Sequence, residues 1–185
     1  MLQKLTRTLL FLLIISFFAS CKNGGKQESD KASKINPELI AIQNLEKDLK
    51  AMNNKTDATP IAKKLEKGLL LYATKNKQDS LAPKFVYKAA RLNEIYFDNY
   101  AEAFSHYNSV VVDFDESRFT PVAMFKRGLL METYFKKSDK AIFYLDEFIK
   151  KYPDHKMSEM AMQIITTSGV DADALFERIN QKPVE

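Results

Sequence analysis

The sequence predicts an all-α protein, an α-solenoid of about eight helices that pack as antiparallel pairs. Three observations indicate this fold class. The chain matches itself after a shift of 38 residues, which is typical of stacked helix pairs. Beyond residue 35 there are only three glycines and no Asn-Gly or Asp-Gly hairpin turn. Prolines occur where helices begin or end, and short connections between helices favour antiparallel neighbours.

The prolines and the last glycine set the helix boundaries. Three polar–proline dipeptides suit an N-cap and the first helical position, where a missing N–H costs no hydrogen bond: Asn36-Pro37, Thr59-Pro60 and Thr120-Pro121. Pro83 starts a further helix, Pro153 ends one, and Gly169 fits the position just beyond a helix end. The helices are predicted near residues 37–52, 60–76, 82–97, 100–113, 120–135, 139–152, 156–167 and 171–181.

The first twenty residues are predicted to be a signal peptide. Lys4 and Arg7 form a positive start, and residues 9–19 are an apolar run interrupted only by Ser16. Eleven residues of helix rise about 16 Å, which is about half of the ~30 Å hydrocarbon core of a bilayer. This run is therefore too short to act as an ordinary transmembrane helix.

Cys21 is the only cysteine in the chain and follows the small residues Ala19 and Ser20. The segment resembles a lipobox, the cleavage site of lipoprotein signal peptidase, with Phe18 where leucine is usual. The resemblance implies that Cys21 becomes the acylated N-terminus and that the lipid holds the protein at a membrane. The alternative is an ordinary secretory signal next to a chance cysteine.

Residues 22–35, "KNGGKQESDKASKI", are polar and nearly free of apolar side chains. Such a segment cannot bury enough surface to order itself, so residues 21–35 are predicted to be the lipidated cysteine and a flexible tether. Residues 36–182 are predicted to form the helical domain. Removal of residues 1–20 lowers the formal net charge from +4 to +2, which with an envelope location argues against nucleic acid as a partner.

The internal repeat preserves side-chain size as well as composition. Small residues match small residues, as in Ala90 with Gly128 and Ala103 with Ala141. Further matches under the 38-residue shift keep proline, cation or large apolar character: Pro83 with Pro121, Tyr87 with Phe125, Lys88 with Lys126, Leu92 with Leu130, Tyr107 with Leu145 and Phe114 with Tyr152. Residues 83–117 and 121–155 are thus predicted to be two copies of one helix pair.

The second helix of each copy carries alanine and then a large residue four positions later, as in Ala141 and Leu145, and Pro153 closes the second copy. This pattern resembles the tetratricopeptide repeat (TPR). The chain departs from that family in its period of 38 instead of 34 residues and in Asp115, which replaces the closing proline of the first copy. The interval from Gly128 to Ala141 is also one residue longer than in the TPR pattern.

Helix pairs of this kind behind a lipobox are similar to the outer-membrane lipoproteins related to BamD, a component of the β-barrel assembly machinery. The resemblance implies a lipid-anchored protein of the bacterial outer membrane that faces the periplasm and binds an envelope protein or peptide. It further implies a role in outer-membrane protein assembly. The alternative is a lipoprotein exposed on the cell surface that serves in ligand binding or nutrient uptake.

The sequence does not contain a recognisable catalytic constellation, so an enzyme is not predicted and no cofactor or metal is expected. His106 and His155 have no metal-ligand spacing and are predicted to be surface or capping residues. The acidic segment around Asp113, Asp115 and Glu116 lacks the glycine of a calcium loop and is predicted to be a solvated turn.

Basic residues are predicted to line a peptide-binding groove on the first helices. Lys84, Lys88 and Arg91 lie at i, i+4 and i+7 on one helix face, and Lys126 repeats Lys88 one copy later. Because first helices line the groove in TPR stacks, these cations would attract an acidic peptide or a C-terminal carboxylate. The alternative is a plain solvated face. In the helix predicted near residues 139–152, the pairs Asp146–Lys150 and Glu147–Lys151 are predicted to mark the outer face.

Overall fold

The computed structural model describes residues 36–180, except for the side chains of residues 176 and 178–180. This part of the chain is helical throughout and contains no strand, which confirms the all-α prediction. Its eight α-helices are α1 (Pro37–Ala51), α2 (Lys55–Lys75), α3 (Ala82–Leu92), α4 (Tyr100–Asp113), α5 (Thr120–Thr133), α6 (Ser138–Lys151), α7 (Ser158–Thr167) and α8 (Ala172–Asn180). A π-helical turn, Asn93–Phe97, continues α3.

The predicted signal peptide (residues 1–20) and the tether with Cys21 (residues 21–35) lie outside the described residues. Within the described part of the chain, none of the helices combines the length and the hydropathy needed to cross a bilayer.

The predicted starts of α1 and α2 had different outcomes. The Asn36 side chain accepts the N–H of Glu38 at 2.9 Å, so Asn36 caps α1 as predicted. The predicted start of the second helix at Pro60 is wrong, because Asn54 caps this helix five residues earlier by accepting the N–H of Asp57 at 2.9 Å. Pro60 lies on the exposed side of the first turns of α2, where water can satisfy the carbonyl that the proline leaves without a donor.

The ends of α6 and α7 follow the sequence signals. α6 ends at Lys151, two residues before Pro153. Beyond α7, Gly169 has φ +98° and donates to the carbonyl of Thr166 at 3.1 Å, while Val170 donates to that of Ile165 at 3.4 Å. These two bonds form a Schellman motif, which requires the left-handed conformation that glycine adopts without strain.

α3 and α5 are the first helices of the two clear copies, and each ends in a wide turn. This turn accommodates the one residue by which the interval between the helices exceeds that of the TPR pattern. After α3, the N–H of Asn99 bonds to the carbonyl of Asn93 at 3.0 Å, and Asp98 has φ 49°. After α5, the N–H of Lys137 bonds to the carbonyl of Met131 at 2.9 Å, and Lys136 has φ 54°. The left-handed residues are 38 positions apart, so the two turns are equivalent.

The helices pack in chain order, each against the next, from α1 to α7, and α8 contacts α6 and α7. One apolar cluster runs from α1 to α5, and a second runs from α5 to α8. The small residues of the repeat are fully buried at the helix contacts: Ala90, Ala103, Ala123, Ala141 and Ala161. This arrangement confirms the prediction of a helical-repeat stack, in which each pair supplies part of the core of its neighbours.

The structure corrects two predictions about polar residues on the second helices. The His106 side chain is only 12% exposed and lies between Glu66 and Glu102, so it is neither a surface nor a capping residue. Asp146 is 8% exposed and is therefore not on the outer face of α6, although its carboxylate lies 3.2 Å from Lys150. The 3.6-residue period alone does not show which flank of α6 is covered, because the packing of the neighbouring helices decides it.

Candidate functional site

Two ion pairs connect successive first helices through lysines at equivalent positions of the repeat. Lys88 of α3 donates to Glu46 of α1. Lys126 of α5, which lies 38 positions after Lys88, donates to Glu94 in the turn after α3 at 2.9 Å. Both lysines therefore have a structural role, since Lys88 bonds to a carboxylate on α1 and Lys126 to one in the turn that continues α3.

The pair between Lys126 and Glu94 belongs to a larger buried network. The hydroxyl group of Tyr107, a fully buried residue of α4, donates to the second carboxylate oxygen of Glu94. Burial, together with the negative charge of Glu94, raises the pKa of Tyr107 well above its ordinary value. Glu94 is thus held by donors from both α4 and α5, and this network fixes the position of the turn after α3.

A cavity of about 350 Å³ lies between α1, α2 and the C-terminal half of α3, and we call it the first-helix cavity. Five apolar and aromatic side chains line it: Leu49, Leu65, Leu69, Leu92 and Tyr96. Four charged side chains also line it: Glu46, Lys50, Lys88 and Arg91. A volume of a few hundred Å³ with apolar walls and a few polar groups is typical of a ligand pocket.

The charge around the first-helix cavity is positive. Lys88 is neutralised by Glu46, whereas Lys50 and Arg91 have no carboxylate oxygen within 4.0 Å in residues 36–180. Arg91 is half-buried. The cavity therefore presents two uncompensated cations next to an apolar floor.

The structure brings only two of the four predicted groove residues together at this cavity. Lys88 and Arg91 line it, while Lys84 is half-buried one turn earlier on α3 and is not part of the lining. Lys126 is directed to Glu94. The binding of a peptide by Lys84, Lys88, Arg91 and Lys126 stays a prediction.

Several residues of the cavity were missed in the sequence. Glu46, Leu49 and Lys50 come from α1, and Leu65 and Leu69 from α2, which lie outside the two clear copies of the repeat. Their helical spacing was visible, but spacing alone does not show which face of α1 lies against α3. The pairing of Glu46 with Lys88 identifies that face.

A second polar cluster connects α5 with the second helices α4 and α6. Arg127 of α5 is buried, donates to Asn108 of α4 at 2.7 Å and lies 3.7 Å from Glu147 of α6. Its guanidinium carbon stands 4.6 Å from the ring centre of Tyr144, and burial lowers the pKa of Arg127. Because its partners come from α4 and α6, this arginine joins the two copies of the repeat.

Other candidate chemical groups do not assemble into a site within residues 36–180. The carboxylates of Asp113, Asp115 and Glu116 are exposed, as predicted for a solvated turn. His155 accepts the N–H of Met157 at 3.2 Å and thus caps the turn before α7. In this part of the chain, no group of three potential metal-ligating side chains comes together.

Comparison with known proteins gives one match. Residues 122–155, which include α5 from its third residue, the turn after it and α6, match the family model described as tetratricopeptide repeat. Neither the curated proteins nor the solved structures gave a match. The matched residues coincide with the second copy predicted from the 38-residue shift, which supports a TPR-containing protein.

Proposed function

We propose that this protein is a non-catalytic scaffold that binds an envelope protein or peptide while a lipid on Cys21 holds it at the bacterial outer membrane. The observation that carries the proposal is the TPR at residues 122–155 within a continuous stack of helices. Stacked repeats of this type bind proteins on extended surfaces, and TPRs are interaction modules in general. The repeat thus supports a protein partner, and the more specific envelope role rests on the N-terminal signals.

The membrane part of the proposal rests on the sequence around Cys21. A short apolar run, two small residues and a lone cysteine together favour lipidation. One acyl chain holds a protein at a membrane only marginally, whereas two or three chains anchor the protein firmly. We expect a Cys21→Ala variant to lose palmitate labelling, and continued labelling would contradict the lipid anchor.

The partner can be identified by mild crosslinking of intact cells followed by affinity capture of the lipidated protein. A role in outer-membrane protein assembly predicts that components of the β-barrel assembly machinery, or unfolded barrel proteins, are recovered. Recovery of a small-molecule uptake system would favour the nutrient-uptake alternative instead. Protease treatment of intact cells then separates a periplasm-facing protein, which stays protected, from one exposed on the surface.

The predicted basic groove has a matched control within the chain. A variant with Lys84, Lys88, Arg91 and Lys126 replaced by glutamine should capture less of the partner at low salt. The control replaces four exposed lysines that have no ion-pair partner in the described residues: Lys47, Lys64, Lys140 and Lys156. Both variants lose four positive charges. An equal loss of capture would therefore show that net charge, and not the groove, causes the effect.

A further inference from the structure

We infer that the first-helix cavity anchors an acidic segment of the partner by enclosing one of its bulky apolar side chains, and that Glu46 competes with a partner carboxylate for Lys88. The inference rests on the proposed function as a scaffold and adds the chemistry of the bound segment. It comes from the cavity lining, which combines buried leucines with cations from α1 and α3.

The apolar floor selects the first feature of the ligand. Leu49, Leu65, Leu69 and Leu92 are buried residues of the core whose side chains also form the cavity walls. A polar group placed among these leucines would lose hydrogen bonds to water without replacement. An apolar side chain would instead add favourable binding free energy, because its surface is removed from water. The volume of about 350 Å³ admits a large side chain of this kind.

The charges select the second feature. Lys50 and Arg91 are uncompensated within the described residues and flank the leucines. A carboxylate next to the apolar side chain would therefore be attracted to these cations, most strongly to the fork of donors on Arg91. The same carboxylate could come from an acidic side chain or from a chain terminus.

Glu46 already occupies the place that such a carboxylate would take at Lys88. The side chains of Lys88 and Glu46 are 33% and 27% exposed, compared with 15% and 12% for the pair of Lys126 and Glu94. An ion pair that water reaches is weak and exchanges readily. Glu94 is held in addition by Tyr107, so only the outer pair is free to exchange.

The test measures fluorescence anisotropy of a fluorescein-labelled hexapeptide with one leucine flanked by glutamates, titrated with the full lipidated protein in detergent. We expect saturable binding that weakens as salt rises. Replacing the peptide leucine by alanine should weaken binding about tenfold or more, since a buried leucine contributes on the order of 1.5–3 kcal/mol. Replacing its glutamates by glutamine should also weaken binding, and amidation of the C-terminus shows which source of carboxylate matters.

Protein variants then test the competition. Glu46→Gln should tighten binding about two- to fivefold, the size of a weak ion pair, whereas Arg91→Gln should weaken it. Glu159→Gln is the matched control, because Glu159 is exposed on α7 and its loss changes the net charge by the same amount. Circular dichroism verifies that the variants stay folded.

Three outcomes would overturn the inference: no saturable binding, equal affinity for the leucine and alanine peptides, or equal effects of Glu46→Gln and Glu159→Gln. Its failure is separable from that of the proposed function. If the Glu46 and Arg91 variants capture an envelope protein as the wild type does, the scaffold stands and the cavity is not its anchor. If the peptide binds but no envelope protein is captured, the cavity stands and the proposed function fails.

Discussion

Gly128 of α5 and Leu145 of α6 approach each other so closely that a β-carbon on Gly128 would lie 2.5 Å from Cγ of Leu145. The backbone nitrogen of Leu145 would be 3.3 Å away, so rotation of the leucine side chain alone cannot restore a normal contact. In the first copy, Ala90 and Tyr107 occupy the equivalent positions. The TPR at residues 122–155 therefore depends on a glycine for the close contact within its helix pair.

We expect Gly128→Ala to lower the free energy of unfolding by about 1–3 kcal/mol, the usual cost of overpacking a core. Gly68→Ala in α2 is the control, because its β-carbon would meet Ile42 at an ordinary 3.5 Å. There, alanine should raise the free energy of unfolding by about 0.5–1 kcal/mol, because glycine weakens a helix interior. Urea denaturation followed by circular dichroism measures both. Equal stabilisation by the two alanines would contradict the close contact.

The two ion pairs of the first helices should differ in their contribution to stability. Glu94→Ala leaves Lys126 partly buried without its carboxylate and Tyr107 without its acceptor, so we expect the free energy of unfolding to fall by about 2–4 kcal/mol. Glu46→Ala removes an accessible pair and should cost less than about 1 kcal/mol. Thermal denaturation at low and high salt tests this, and similar losses for both variants would refute it.

The wide turn after α5 holds Lys136 in the left-handed conformation, with φ 54°. Because this conformation costs a residue with a β-carbon about 1–2 kcal/mol, Lys136→Gly should raise the free energy of unfolding by up to about 1 kcal/mol after the added entropy of the unfolded chain. Lys64→Gly, at an exposed position inside α2, is the control and should lower it by about 1 kcal/mol. A loss of stability in both variants would argue against the strained turn.

A hydrogen bond between Tyr72 and Asp79, at the junction of α2 and α3, should make the free energy of unfolding depend on pH. The hydroxyl group of Tyr72 donates to Asp79 at 2.5 Å, which raises the pKa of Tyr72 to about 12 and holds the pKa of Asp79 below its ordinary 3.8. The contribution of Asp79 is therefore present above pH 3.8 and is lost as the pH falls through its lowered value. That of Tyr72 is present below pH 10 and is lost as the pH rises toward 12.

We expect Tyr72→Phe to be less stable than the wild type by about 1 kcal/mol between pH 5 and 9, because water competes at the half-exposed Asp79. The difference should shrink below about pH 3 and above about pH 11. Urea denaturation across this pH range measures it. Tyr96→Phe, at a half-buried tyrosine without a hydroxyl partner in the described residues, is the control and should show no such window. A difference that is constant at all pH values would exclude the hydrogen bond as its cause.

Local chemistry made several elements predictable. Asn36, Pro153 and Gly169 set helix boundaries through a side-chain cap, a missing N–H and a left-handed turn, and none of these effects needs a distant partner. The start of α2 was missed because two signals were present, and the Asn54 cap prevailed over Pro60.

The sequence by itself determined the all-α class, the repeated helix pair and the cations on α3, because helical periodicity and the 38-residue shift are properties of the chain read along its length. Only the tertiary structure decided that Glu46 pairs with Lys88, that His106 and Asp146 lie on packed flanks, and that leucines of α1 and α2 complete the first-helix cavity. The physical reason is that these features depend on the rotation of one helix against another. That rotation is fixed by the packing of side chains far apart in sequence.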